Sequence, residues 1–534
     1  MNRTSYPSMS QPISFDHGAS PNVGPNLPSL SEGGNKDIDN VKRMSTESHA
    51  CSKEIGDSVQ VTLEKRFSFW SLLGYQLSVM ASWSNYLVIA GTFVYIGGPV
   101  AMIYGALLVG FFQFMTAMSL SELASAWPHA GGSQFWITQL MSPTSSGLFS
   151  YLTGWMNILA YLTAGASANF AGAQTVTALV TILNGYEWPR YQVFLVYCAM
   201  CLLDIPINVF PKYYSAFNIA SLVCLMVFLV ITIGVWASDF QHQSAQYVFT
   251  KFINSSGWKD SGMAFLISLT QTTYAATGLD AVVHLSEETH DPKRTIPLVL
   301  TTSVAISTLM SFGFAIFLVF KMGDFSDLVD LSLGQVYLEL YTDSIGFGAG
   351  LAVATTIMTL LAIFVASQIL TGSSRLIWAM ARQQGVPFSN YFSHINQDFK
   401  VPIRSFVASF VVTILLGLLY LAGDLAWNAI ASSVTIAYQL VFTTPIVVLL
   451  CRGRARLPAR YFDVGRVPFI GYSINVLTVL WGIFISVISI FPITLPVTGD
   501  TMNYAVVVFG IWGIIVGIYW STHGHRKFMS TVVL

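Results

Sequence analysis

Long apolar runs recur through this sequence from Phe67 onward, and they constrain its fold more than any other feature. A helix needs about 20 consecutive apolar residues to cross the hydrocarbon core of a bilayer. In lipid, every backbone N–H and C=O group must be paired within the protein, and a helix does this within its own segment. The chain is therefore predicted to be an all-α polytopic membrane protein held in the lipid bilayer. About twelve candidate spans occur, near residues 68–95, 99–122, 147–181, 191–210, 214–237, 261–285, 297–321, 348–371, 403–421, 425–450, 468–491 and 502–521.

The composition supports a membrane location and excludes several other classes. Of 534 residues, 54% are hydrophobic and only 10% are charged, whereas a soluble protein carries roughly a quarter charged residues. The formal net charge of −1, without a basic stripe that contains aromatic residues, argues against a nucleic-acid partner. Cys198 and Cys201 form a CxxC motif inside an apolar run, where thiolates are disfavoured and further zinc ligands are missing. We therefore expect no metal and no cofactor.

The ends of the chain and the charged residues give a predicted topology. Residues 1–66 are polar and rich in Ser, Asn, Pro and Gly, which predicts a disordered tail and not a cleaved signal peptide. With an even number of spans, most Lys and Arg residues fall on one side of the membrane, together with both termini. Because positive residues mark the cytosolic side, the tail and the short C-terminus are predicted to be cytosolic.

Two spans are interrupted by small and polar residues in matching positions. The first span contains Ala81-Ser82-Trp83-Ser84-Asn85, and the sixth contains Ala275-Ala276-Thr277-Gly278 followed by Asp280. Residue 276 lies 195 positions after residue 81, and the same offset carries spans two and three close to spans seven and eight. Five spans per copy place the second copy upside down. This predicts an inverted repeat, residues 67–240 and 261–450, with two further spans in residues 451–534.

Two weakened helices in matching positions of an inverted repeat are typical of the central site of a transporter. Unwound backbone is tolerated at membrane depth only where it lines a cavity or is buried in protein. Its free N–H groups, and the start of each half-helix, attract anionic groups such as a carboxylate. The alternative is that small residues merely allow close helix packing. The predicted substrate-binding residues are Ala81, Ser82, Trp83, Ser84, Asn85, Tyr274, Ala276, Thr277, Gly278 and Asp280.

Three of these residues have more than one interpretation. Asp280 is an acid within a span and is therefore a functional candidate. It could pair with a substrate ammonium group, carry a coupled proton, or cap the second half-helix. Trp83 and Tyr274 flank the two breaks and could form an aromatic wall for a quaternary ammonium group, or they could be core residues.

A charged cluster follows Asp280. His284, Glu287, Glu288 and His290 resemble metal ligands, but the spacing is not HExxH and no further cluster supplies ligands. Glu287 lies about 10 Å along a helix from Asp280, near the membrane edge. An inner gate is predicted, in which Glu287 pairs with Arg375 or Arg382 and Glu122 pairs similarly; plain interfacial salt bridges are the alternative. Asp204, near the end of the fourth span, is expected at the interface without a role. The predicted gate residues are Glu122, Glu287, Glu288 and Arg375.

Four segments resemble a known superfamily. They read SLSELASAWPHAGGSQFW (119–136), TGLDAVVHLSEETHDPKRTIP (277–297), SSRLIWAMARQQGVP (373–387) and PVTGDTMNYAVVV (496–508). The first and third resemble the amino acid–polyamine–organocation superfamily, and the second and fourth resemble its fungal amino acid/choline transporter branch. The resemblance covers roughly residues 67–525.

This resemblance implies five-plus-five inverted repeats, two peripheral spans and proton-coupled uptake of small amines, amino acids or cationic nutrients. Members of the branch handle γ-aminobutyrate, choline, thiamine and biotin precursors. Some bacterial members place a Lys in the fifth span, where it acts like a bound cation. The fifth span of this chain has no Lys, and its polar candidates are Ser215, Asn218 and Ser221.

The leading expectation is a secondary active transporter, coupled to H⁺, for an amino acid or small amine such as γ-aminobutyrate. Choline or another cationic nutrient such as thiamine is the alternative substrate. A membrane enzyme is not expected, because no nucleophile–base pair, metal motif or P-loop is found. A channel is disfavoured by the lack of charged rings or a carbonyl-filter motif. We expect no catalytic residues, a monomer that suffices for transport, and a location in the plasma membrane.

Overall fold

The computed structural model describes residues 63–238, 243–328, 335–499 and 501–528. The predicted tail, 1–66, lies outside these residues except for its last four positions. Within the described ranges the chain is helical, with only two isolated β-bridges. Eleven helical stretches there are long and apolar enough to cross a membrane, and the interrupted sixth span adds another crossing element. The prediction of an all-α polytopic membrane protein is confirmed.

The spans have the following bounds. The first five are span 1, Phe69–Met80 with Ser82–Tyr95; span 2, Gly98–Ala126; span 3, Pro143–Asn184; span 4, Arg190–Val209; and span 5, Tyr214–Ser238. The next five are span 6, Ser261–Ala275 with the 3₁₀ turn Ala281–Glu288; span 7, Pro292–Met322; span 8, Phe347–Arg382; span 9, Ile403–Gly417 with Leu419–Ala422; and span 10, Asp424–Arg452. The last two are span 11, Pro468–Ile488, and span 12, Ala505–Tyr519. Short helices lie in the connections, at Ser133–Leu140, Ala245–Thr250, Val336–Ile345 and Ser389–Phe392.

Both predicted breaks are present. Span 1 is interrupted at Ala81, which has the left-handed conformation with φ +47°. That conformation costs an L-residue roughly 1–2 kcal/mol, so the surrounding structure must hold it. In span 6 the α-helix ends at Ala275, Gly278 has φ +74°, and the chain resumes as a tighter 3₁₀ turn at Ala281. The two interruptions therefore fall where small and polar residues replace the apolar pattern.

Two amide side chains of span 1 satisfy the backbone groups that the breaks expose. The Gln76 Nε2 group donates to the Gly278 carbonyl at 2.8 Å, and Gln76 Oε1 accepts from the Val282 N–H at 2.8 Å. Asn85 Nδ2 donates to the carbonyls of Met80 and Ala275, each at 3.0 Å. A buried polar group without a partner costs about 1–3 kcal/mol. These bonds therefore stabilise the breaks and join spans 1 and 6.

Small residues let the spans approach closely. Spans 2 and 7 pack along their length, as do spans 3 and 8. At Gly110 a Cβ atom would lie 2.2 Å from Thr308 Cγ2, so only glycine allows this contact between spans 2 and 7. By contrast, span 12 exposes Ile511, Ile514 and Ile518 by 57%, 64% and 61%. Such a surface suits lipid and not water.

Candidate functional site

A cavity lies at the two breaks. It encloses about 920 Å³ of space, its open mouth included. Five of the ten predicted substrate-binding residues line it. They are Ala81, Ser84 and Asn85 from span 1, and Tyr274 and Thr277 from span 6. The structure therefore brings half of the predicted set together around one space.

None of the described residues that line this cavity carries a formal charge. Its polar groups are hydroxyls and amides, among them Ser84, Asn85, Ser167, Gln174 and Thr277. Burying an uncompensated charge is costly. The cavity therefore suits a solute whose charges balance within the molecule, or one without charge.

Spans 3 and 8 supply cavity walls that were not predicted. Span 3 presents small and polar residues three or four positions apart, at 164, 167, 168, 171, 174 and 175. This spacing places them on one helix face, so the pattern could have revealed the wall. Span 8 contributes Met358, Leu361, Ala362, Val365 and Ile369. These apolar residues look like any other membrane-span residues, so no sequence signal marked them.

A second, wider cavity adjoins the first and shares Val88 and Tyr274 with it. It encloses about 1380 Å³, open space included, and reaches Asn503 and Tyr504 in the connection between spans 11 and 12. The first cavity lies at the breaks, and the second lies beside it toward one end of the bundle. Tyr274 lies at their junction.

The other predicted substrate-binding residues lie elsewhere, and Trp83 is a clear correction. Trp83 is fully buried, its indole N–H donates to the Leu225 carbonyl at 3.2 Å, and its ring packs edge-on to Phe314 at 5.1 Å. It is a core residue because its side chain points away from the cavity, toward spans 5 and 7. Of the two interpretations, the structure shows Trp83 as a core residue, and of the two aromatic residues only Tyr274 lines the cavity.

Ala276 and Gly278 shape the break without lining the cavity. Ala276 borders a separate narrow void that also contacts Thr272. Gly278 is required by its positive φ, and a Cβ atom there would lie 2.9 Å from Val79 Cγ1. The side chain of Ser82 lies outside the part of the chain that the structure describes.

Asp280 is also absent from the cavity wall. Its side chain is 2% exposed and lies among side chains of spans 3 and 6. The Tyr161 hydroxyl donates to Asp280 Oδ1 at 2.9 Å, and His284 Nε2 lies 3.3 Å from Asp280 Oδ2. Although Asp280 precedes the 3₁₀ turn, its side chain makes no capping bond. The structure therefore shows no capping bond from the Asp280 side chain and no direct access from it to a solute in the cavity. Asp280 and His284 are instead neighbours in one buried cluster.

At the opposite end of the bundle, Glu288 and Arg375 form a buried ion pair. Arg375 Nε donates to Glu288 Oε1 at 2.8 Å, and Arg66 Nε lies 3.6 Å from Glu288 Oε2. The backbone N–H groups of Arg66 and Phe67 donate to the Glu288 carbonyl. The segment before span 1, the end of span 6 and span 8 are thus joined at one point.

Glu287 forms a separate, more exposed pair. The sequence left Arg375 and Arg382 open as partners, and the structure pairs Glu287 with Arg382 at 2.7 Å. The Arg382 guanidinium also lies over the Trp378 ring, 4.4 Å from its centre. His129 lies beside them, in the connection after span 2. Burial, together with Arg382, lowers the pKa of His129 to about 3, so His129 is neutral and Arg382 is the cation that pairs with Glu287.

Glu122 is not part of the Glu288–Arg375 pair. Its carboxylate accepts from Arg454 Nη2 at 2.6 Å and from Arg460 Nε at 2.8 Å. Both arginines lie in the connection after span 10, so Glu122 anchors this connection to span 2. The predicted placement of Glu122 in one gate with Glu287, Glu288 and Arg375 is corrected, because a different loop covers the end of span 2.

Asp204 is a second correction. The sequence predicts it at the interface without a role, but it is fully buried inside the protein, and span 4 continues to Val209 despite Pro206. Ser367 Oγ donates to Asp204 Oδ1 at 2.6 Å, and Asn169 Nδ2 donates to Asp204 Oδ2 at 3.0 Å. This acid therefore joins spans 3, 4 and 8 through neutral donors.

An uncharged cavity at two broken helices, inside a bundle of membrane-spanning helices, defines a membrane transporter. The chain belongs to the amino acid permease family, whose model, described as "Amino acid permease", matches residues 67–513, and thus to the amino acid–polyamine–organocation superfamily.

Among its relatives is the choline transporter of Saccharomyces cerevisiae, 29% identical over 476 residues, which are 88% of this chain and 83% of the relative. Amino-acid permease 2 of Neurospora crassa is 28% identical over 503 residues, covering 89% of each chain. Amino-acid permease BAT1 of Arabidopsis thaliana is 25% identical over 498 residues, covering 90% of this chain and 95% of the relative. The chain is an integral multi-pass membrane transporter for an amino acid or an amine.

Proposed function

We propose that this protein imports an amino acid or a related zwitterion such as γ-aminobutyrate together with a proton. It acts as a single chain in the plasma membrane, with both termini in the cytosol. The substrate class is inferred from the cavity at the two breaks, because this cavity has no charged side chain among its described lining residues. A zwitterion balances its own charges and needs only local dipoles at each end.

The broken helices supply such dipoles. The second half of span 1 begins at Ser82, on the cavity-lining residue Ala81. The first N–H groups of a helix have no acceptor within the helix, and the N-terminus carries a partial positive charge. A substrate carboxylate binds there. The ammonium group then faces the hydroxyl and amide oxygens of the cavity, such as Thr277 and Asn85.

Choline is the second candidate substrate. The relative named choline transporter and the Tyr274 ring at the cavity junction favour it. A quaternary ammonium group can bind over an aromatic face. Against choline, Trp83 does not reach the cavity, and the single positive charge of choline would have no acidic partner among the described lining residues.

The cavities and the Glu288–Arg375 pair lie toward opposite ends of the bundle. The cavities lead toward the connection between spans 11 and 12, while Glu288 and Arg375 join three segments at the other end. Under the positive-inside rule the end with Arg375 faces the cytosol. The structure then corresponds to a transporter open toward the outside and closed toward the cytosol.

Uptake of labelled γ-aminobutyrate, choline and thiamine by cells that express the full chain tests this proposal. We expect γ-aminobutyrate uptake that a protonophore abolishes and that unlabelled amino acids compete away. The Gln246→Ala variant, changed at an exposed connecting helix, serves as the matched control for expression. Uptake of choline alone would assign the second candidate, and γ-aminobutyrate uptake unaffected by the protonophore would contradict proton coupling.

A further inference from the structure

Between the cavity and the cytosolic end, four titratable side chains form a buried cluster. They are Asp280 and His284 from span 6, Tyr161 from span 3 and Tyr438 from span 10. The Tyr161 ring lies 5.0 Å from the His284 ring and 5.5 Å from the Tyr438 ring. All four residues are almost completely buried. None of them lines the cavity.

The hydrogen bonds of this cluster place one hydrogen on His284 and leave its other ring nitrogen without a partner. His284 Nδ1 lies 2.7 Å from the Ala130 carbonyl, which can only accept, so Nδ1 carries a hydrogen. Tyr161 donates to Asp280 Oδ1. His284 Nε2 lies 3.3 Å from Asp280 Oδ2 but is not aligned for a hydrogen bond to it, and Nε2 has no hydrogen-bond partner in the described part of the chain. A proton can therefore bind to this nitrogen or to the neighbouring carboxylate oxygen without breaking a hydrogen bond between them.

We propose that Asp280 and His284 together form the proton-binding site of the transporter. One proton binds to Asp280 Oδ2 or to His284 Nε2. It enters from the side on which the cavity opens and leaves at the cytosolic end. On release, only the O–H or N–H bond breaks, the proton passes to water, and the pair changes from net neutral to one negative charge. This inference rests on the proposed proton coupling and names the groups that perform it.

The route from the cavity to this pair passes the two tyrosines. Tyr438 lies one helical turn after Val434, and Tyr161 lies one turn before Ala164; both Val434 and Ala164 line the cavity. The buried Tyr438 hydroxyl has no hydrogen-bond partner in the described part of the chain. Leaving such a hydroxyl unpaired is unfavourable. A water molecule or substrate group that descends from the cavity supplies the missing partner and leads on to Tyr161 and Asp280.

The route to the cytosol passes one short connection. The Ala130 carbonyl and Gly132 lie against His284, and a Cβ atom at Gly132 would lie 3.3 Å from His284 Cε1. Glu287 and Arg382 lie beyond this connection, next to His129. Movement of the connection away from span 6 therefore exposes His284 to the cytosol.

Other charged and titratable groups near the pair come from spans 1, 6 and 8 and from the connection after span 2, where His129 lies within electrostatic reach of His284. Tyr75 lies within electrostatic reach of Asp280 and Arg375, but its hydroxyl donates to the Gln368 carbonyl at 3.0 Å. The Arg375 guanidinium is engaged by Glu288. Within the described residues, His284 is thus the only basic group paired with Asp280.

Purified full-length protein in proteoliposomes tests the proposal in two assays. Exchange of labelled for unlabelled γ-aminobutyrate without a gradient reports substrate binding and conformational change. Accumulation driven by a pH gradient also needs the proton. We expect Asp280→Asn and His284→Gln to keep exchange and to lose accumulation. In the unmodified protein, one coupled proton supports an accumulation ratio of about tenfold per pH unit of the gradient.

Asp204→Asn is the matched control, because Asp204 is also a buried acid within a span but is held by Ser367 and Asn169. We expect it to keep both exchange and accumulation. Tyr438→Phe removes a hydroxyl without a partner, so we expect normal folding and exchange with slower proton-driven uptake. The proposal would be overturned if Asp280→Asn still accumulates substrate, whether or not Asp204→Asn does.

Infrared difference spectra between acidic and alkaline pH, recorded without substrate, separate this proposal from the proposed substrate. We expect a carboxyl or imidazole signal that disappears in both Asp280→Asn and His284→Gln and persists in Asp204→Asn. Absence of that signal from the unmodified protein overturns the proton site, whatever the substrate is. Its presence, together with failure to transport γ-aminobutyrate, would reject the substrate alone.

Discussion

At the scale of single residues, Gln76 pairs with the backbone of the break in span 6. Its amide bonds to both a carbonyl and an N–H of the interrupted backbone, at Gly278 and Val282. Asn85 donates to the carbonyls of Met80 and Ala275, which end the first halves of spans 1 and 6. Two side chains therefore replace the hydrogen bonds that continuous helices would have formed. Sequence analysis selected Asn85 but missed Gln76, because an amide inside an apolar helix gives no indication of its partner.

We expect Gln76→Ala to destabilise the protein by about 2–4 kcal/mol, because it leaves two buried backbone groups unpaired. Thermal unfolding in detergent measures the effect, with Gln246→Ala as the control. A Gln76→Ala variant as stable as that control would contradict this role.

Substitutions of Trp83 and Tyr274 are expected to change different properties, stability for Trp83 and KM for Tyr274. Trp83→Phe removes a buried indole and its hydrogen bond to Leu225, so we expect lower stability, by about 1–3 kcal/mol, with an unchanged KM for substrate. Tyr274→Ala opens the junction of the two cavities, so we expect a KM raised by about tenfold, equivalent to 1.4 kcal/mol of lost binding. Uptake kinetics and melting curves distinguish them. A raised KM in Trp83→Phe would return Trp83 to the substrate site.

At the scale of elements, the Glu288–Arg375 pair joins the segment before span 1 to spans 6 and 8. Removing one partner of a buried ion pair costs about 3–5 kcal/mol, because the other charge is left buried. We expect Arg375→Gln to weaken the cytosolic closure and to expose Thr289, which is buried beside Glu288. Labelling of Thr289→Cys by an impermeant maleimide from the cytosolic side, in a background without other cysteines, measures this.

The matched control for this closure is Arg382→Gln. Arg382 pairs with Glu287 at a more exposed place, where ion pairs contribute only about 0–1 kcal/mol. We expect labelling of Thr289→Cys to rise with Arg375→Gln and to stay nearly unchanged with Arg382→Gln. Equal labelling in both variants would show that the buried pair does not close the cytosolic end.

At the scale of the whole molecule, local signals predicted the architecture and failed where distant segments meet. Apolar length and small polar interruptions placed the spans and both breaks, because each depends on residues adjacent in sequence. The cavity wall from span 8, the arginine partners of Glu122 and the burial of Asp204 depend on which helices pack together. Sequence spacing within one helix holds no information on these contacts. The inverted symmetry of the two halves stays a prediction.

Neighbouring residues of span 6 allow a direct test of whether substrate binds in the cavity at the two breaks. Thr277 lines that cavity, whereas Ala276 borders a separate narrow void. Each is changed to cysteine in a background without other cysteines and treated with a small impermeant thiol reagent from the outside, with and without γ-aminobutyrate. We expect that Thr277→Cys reacts and that substrate protects it, while Ala276→Cys stays unreactive. Reaction of Thr277→Cys at the same rate with saturating transported substrate would contradict it.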